Sequence, residues 1–176
     1  MKPLIEANIN VLIQIRELVN LCDDSVYNAV IAHSQSSIGK HIRHILDHYR
    51  AVMQGQALKN IDYNYRDRGS DVETMPAKSL TQIEILIEWL LRYSIEDNAL
   101  TVTSEVKLDS VHSSVLPSNN KRELLYLINH SIHHIAYAAL LGKLQGLTIP
   151  EHIGLAPCTA SFERSLREHK NEKTMA

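Results

Sequence analysis

Asn129-His130-Ser131-Ile132-His133-His134-Ile135-Ala136-Tyr137 lies in an apolar stretch of helical period. In a helix His130 and His134, four residues apart, project from one face about one turn from each other. That is the spacing at which two imidazoles can hold one metal ion. A second segment, His41-Ile42-Arg43-His44-Ile45-Leu46-Asp47-His48, carries three more, so six of the ten histidines fall in two short windows. If these windows face each other, three nitrogen ligands meet and coordination positions stay open, as in a catalytic rather than a closed structural site.

Working outward, the same periodicity predicts four helices. The first covers 3–21, with Leu4, Ile9, Leu12, Ile13 and Val19 inward. The second starts at a Ser36 or Ser37 cap and ends near Gln54 with Gly55 as its stop. The third runs from about 80 to 96, and the fourth, with Asn120 and Glu123 at capping-box spacing, covers 121–144 and closes at Gly146. Residues 56–76 have no period and read as a long loop, Thr101 to Leu108 as an extended segment that Pro117 closes off, and the tail after Ile149 as irregular. Together these predict an all-α four-helix bundle with long irregular connections, forming a single domain over 1–176. Trp89 and the tyrosines at 27, 49, 93 and 126 read as core, and His33, His112, His152 and His169 as surface.

Composition narrows the function. The net charge of −2 offers no basic field for a phosphate backbone, which argues against nucleic acid. No apolar run approaches the ~20 residues needed to cross a bilayer, and the N-terminus does not read as a signal peptide, so the expectation is a cytoplasmic protein without a membrane partner. Cys22 and Cys158 lie far apart and read as free thiols.

Neutral imidazole suits Zn, Ni, Fe and Cu, so a divalent metal is the expected cofactor. His130 and His134 form the strongest pair. His44, in mid-helix, is the best third ligand, with His41 and His48 as alternatives in the same stripe. Asp47 and His48 are the candidates for orienting a ligand or moving a proton.

The segments Ser37-Ile38-Gly39-Lys40-His41-Ile42-Arg43-His44-Ile45-Leu46-Asp47-His48 and Arg122-Glu123-Leu124, the latter leading into Asn129 through Tyr137, resemble the DinB/YfiT-like superfamily of metal-binding four-helix bundles. Gly154-Leu155-Ala156-Pro157-Cys158-Thr159 resembles a tail motif of one branch, in which serine commonly stands at the cysteine position. The resemblance covers nearly the whole chain. It implies a divalent metal on His44, His130 and His134, a homodimer, and transfer of a low-molecular-weight thiol cosubstrate to a small electrophilic substrate. The loop Tyr63-Asn64-Tyr65-Arg66-Asp67-Arg68-Gly69-Ser70-Asp71-Val72-Glu73 resembles a tract of the same branch. Tyr63, Arg66 and Arg68 are thereby candidates to clamp a substrate carboxylate, the alternative being a solvated loop with internal Arg–Asp pairs. Metal-dependent hydrolysis on the same site, or a non-catalytic metal- or ligand-binding bundle, are the other readings.

Overall fold

The computed structural model describes residues 1–32, 34–92 and 96–174. Tyr93, expected in the core, and His33, expected at the surface, lie outside the described residues. Four long helices do form where the 3.6-residue period predicts them: α1 (Lys2–Asn20), α3 (Ile38–Leu58), α5 (Pro76–Arg92) and α6 (Asn120–Leu144). They pack in a ring in which α3 touches α6 and α5, and α1 touches the same two from the other side. Leu12, Ile15, Ile42, Ile45, Tyr49, Ile83, Leu86, Leu124 and Ile135 fill the centre and are fully buried. Within it Asn8 bridges three helices, donating to the Leu4 and Leu124 carbonyls while accepting from the Tyr49 hydroxyl at 2.9 Å. Of the other expected core residues, Tyr27 is buried, whereas Trp89 and Tyr126 are half-buried.

The all-α expectation is overturned. Among the described residues there are seven helices and a three-stranded mixed sheet, with β1 (Asn60–Asp62), β2 (Ala99–Glu105) and β3 (Ser113–Asn119). The extended segment expected at 101–108 is the central strand β2, which pairs parallel with β1 and antiparallel with β3. Pro117 does not close the region but sits inside β3, opposite Thr101. It is tolerated because β3 is an edge strand, where a missing N–H breaks no inner ladder. The supposed loop 56–76 contains β1 and α4 (Asp71–Thr74), and the supposed irregular tail forms α7 (Pro157–Thr174). A further short helix, α2 (Asp24–Asn28), is capped by Asp23 through the Val26 N–H.

Three helix ends also differ from expectation, one being the start of α5 at Pro76 rather than near 80. Gly55 lies inside α3, where a Cβ would come within 2.6 Å of the Asn60 carbonyl oxygen. The glycine thus serves the close return of β1 against the helix, and the helix stops at Lys59, whose φ of 52° is left-handed. At the start of α6 the cap is Asn119, accepting from the Arg122 N–H, one residue earlier than the capping-box reading placed it. These turns fix where the sheet sits. It follows α3 directly and leads directly into α6, next to the end of the helix pair that carries the histidines.

Candidate metal centre

The contact between α3 and α6 brings the two histidine windows together. His44, His130 and His134 each offer a ring nitrogen, and these atoms lie within 4.8 Å of one another. The Nε2 atoms of His130 and His44 are 3.1 Å apart. Two nitrogens bound to one ion at about 2.1 Å stand roughly 3.0–3.4 Å apart for tetrahedral or octahedral angles. The spacing therefore matches a shared ion, and the donor set fits a borderline divalent metal.

The three residues are also in the right protonation state. Burial, aided by neighbouring positive groups, pushes His44 down to about 2 and His130 and His134 down to about 4. All three are neutral at ordinary pH, which is the form that binds metal.

The alternatives for the third ligand fall into other places. His41 lies behind His134, its Nδ1 sharing a hydrogen bond with His134 Nδ1 at 3.0 Å, while its buried Nε2 meets no partner among the described residues. His48 is almost fully buried, and its Nδ1 stands 2.9 Å from the His44 carbonyl oxygen. A carbonyl can only accept, so His48 Nδ1 carries the proton and Nε2 keeps its lone pair. The His48 ring lies 4.1 Å from that of His130, and burial lowers its basicity, to a pKa of about 3. His133 is exposed.

The remaining candidates divide in the same way. Asp47, 3% exposed, accepts from Arg43 at 3.0 Å and from the backbone N–H of Asp67 at 3.2 Å. It thus ties the loop to α3. Asp67 also pairs with Arg50 at 2.9 Å, so the loop's acid finds its partner on the helix rather than within the loop. Held this way, Arg66 lies near enough to the histidines for its charge to act on them. Its charge is felt by His44, His48, His130 and His134, and its buried Nη1 has no partner among the described residues. Arg68 is exposed. Tyr63 is a fixed wall, its ring stacked at 5.1 Å on His48 and its hydroxyl donating to Glu123 at 2.7 Å.

Glu123 pairs with Arg122 at the start of α6, and its burial is what the sequence does not show. Its position three residues into α6 reads as a capping box, yet the side chain is completely buried and points to Tyr63, Ser118 and Arg122. No local spacing reports this, because two of those partners come from the sheet side. Tyr126, one turn before His130, stacks on it at 5.3 Å with 24° between the rings. The two thiols lie elsewhere: Cys22 is half-buried, with burial and Asp23 raising its pKa to about 11, and Cys158 is exposed.

No helix among the described residues is long and apolar enough to cross a membrane. No family model matches the chain, and no solved structure matches it. Among curated proteins, "FK506-binding protein 5" of Rhizopus delemar is 29% identical over 116 residues, covering 64% of this chain. The match spans 30% of that relative's own length, and the FK506 in its name describes that protein.

Proposed function

We propose that His44, His130 and His134 hold one divalent metal such as Zn or Ni, and that the protein is an enzyme transferring a low-molecular-weight thiol to a small electrophile. The DinB/YfiT-like resemblance suggested this reading, and the convergence of three neutral imidazoles from two helices is the observation that carries it. A bound ion of this kind supplies Lewis acidity, making a thiol or a water more acidic.

The chain's own residues suit that chemistry. His48, its Nδ1 proton fixed on the His44 carbonyl and its ring 4.1 Å from that of His130, orients the ligand rings. Burial holds its pKa at about 3, so it stays neutral through the working pH range. Arg66 offers a half-buried guanidinium with an unpaired Nη1 and binds a carboxylate of the anionic thiol cosubstrate. Three neutral ligands leave a dipositive ion uncompensated, so an anionic partner is favoured over a neutral one. Tyr63 and Tyr126 shield the inner side of the imidazoles from water.

The test is elemental analysis of protein purified without an affinity tag, followed by a conjugation assay. Close to one Zn, Ni or similar ion per chain is expected, and His130→Ala should lose tight binding. Metal-loaded protein should conjugate at least one of bacillithiol, glutathione, coenzyme A or cysteine faster than the chelated form. Full metal binding by a triple alanine variant at 44, 130 and 134 would end the metal assignment. Equal rates with and without metal across the thiols would end the transferase reading.

A further inference from the structure

Tyr63 and Tyr126 each belong to two places at once. On one side they stack on His48 and His130. They also line a separate cavity of about 260 Å³, whose other walls include Val102, Leu116 and Pro117 of the hairpin and Arg122 of α6. The pairing of β2 with β3 sets Leu116 opposite Val102, so the sheet contributes an apolar face and α6 a cationic and aromatic one.

Arg122 shapes the polar end. Its guanidinium lies 5.3 Å from the centre of the Tyr126 ring, and its bond to Glu123 at 2.7 Å uses one of the five N–H donors it carries. The carboxylate of Glu123 is already held by the Tyr63 and Ser118 hydroxyls. More than half of the Arg122 side chain is in solvent, so its remaining donors can meet an incoming anion. Arg66 adds a second positive charge near the same tyrosine, while burial raises the Tyr126 pKa and keeps it a phenol.

We propose that this cavity binds a small aromatic or similarly flat apolar carboxylic acid. The ring lies against Tyr126 and Leu116, and the carboxylate meets Arg122. Ordinary ligand pockets occupy roughly 300–1,000 Å³. At about 260 Å³ this one admits a single ring with a short chain. Tyr63 and Tyr126 stand between this acid and the imidazoles.

The test is calorimetric titration of the full-length protein, with and without metal, using 3-phenylpropionate as probe. Its controls are 3-phenylpropanol, which lacks the charge, and propionate, which lacks the ring. Metal content per chain is measured in parallel. Saturable binding of 3-phenylpropionate is expected, with both controls at least tenfold weaker. Leu116→Asp, at an exposed edge-strand position, should weaken the acid at least tenfold with metal content unchanged. Arg122→Gln should erase the preference for acid over alcohol.

Failure of the native protein to bind the acid, or equal affinity in the native and Leu116→Asp proteins, would overturn the cavity assignment. Discriminating binding in a protein that takes up no metal would leave the cavity in place and remove the metal centre. Metal uptake without probe binding would do the reverse.

Discussion

Replacing Asp47 by alanine separates loop anchoring from metal binding. The Asp47 side chain is 2% exposed and faces Arg43, itself only 10% exposed, at 3.0 Å. Removing one partner of a buried ion pair costs about 3–5 kcal/mol, because the other charge is left uncompensated. Arg43 retains a second partner, Glu73, at 3.1 Å, which places Asp47→Ala near the low end, about 3 kcal/mol. The Asp67 N–H loses its acceptor as well, and Asp47→Asn, which keeps an oxygen there, should cost less, about 1–2 kcal/mol.

For a chain of this size each kcal/mol moves the melting temperature by roughly 2–4 °C, so the alanine variant should melt about 6–12 °C lower. Urea unfolding gives the free energy and thermal melting the shift. The hydrogen bonds of Asp47 run to Arg43 and the loop. Metal affinity of the folded variant should therefore stay within a few-fold of native, while turnover at low substrate falls as Arg66 loses its position. A destabilisation below 1 kcal/mol would refute the ion-pair argument. Loss of metal from a fully folded variant would place Asp47 among the groups that orient the ligands.

Acid should destabilise the metal-free protein through its histidines. His44, His48, His130 and His134 lie below the ordinary imidazole value in the folded state, at about 2, 3, 4 and 4, whereas the unfolded chain takes up protons near 6.5. Below that pH the unfolded state binds more protons, so stability is fully present above about 6.5 and falls as pH drops towards 4. Urea midpoints from pH 7.5 to 5 in chelator should decline, and they should decline less in a variant with leucine at 44 and 48; equal declines would remove the histidines as the cause. On the proposed reading the Arg66 guanidinium would bind a part of the substrate that does not react, so Arg66→Gln should raise KM for the thiol more than it lowers kcat. An unchanged KM with a large fall in kcat would assign Arg66 to the transition state instead.

The amino-acid sequence by itself determined the long helices and the histidine pair one turn apart on α6. A 3.6-residue period is local, so α1, α3, α5 and α6 follow from the order of apolar residues, and the spacing of His130 and His134 follows from helical pitch. Tertiary packing decided the rest. Asn60–Asp62 is too short to show an alternation, and it becomes a strand only because β2 arrives parallel to it from about forty residues away. Residues 113–119 contain a proline and are largely exposed, so they carry no clear strand pattern until β2 supplies the ladder. The histidines at 41, 44 and 48 share one stripe of α3, and sequence ranks them only by position. The crossing of α3 over α6 is what sets His44 at 3.1 Å from His130, hydrogen-bonds His41 to the outer nitrogen of His134, and turns the protonated nitrogen of His48 onto a carbonyl. Glu123 was legible as a helix-start residue but not as the buried acceptor of three side chains, because Tyr63 and Ser118 reach it only once the sheet is in place. Periodicity reports which face of an element is buried; which neighbour meets that face is decided by contacts distant in sequence.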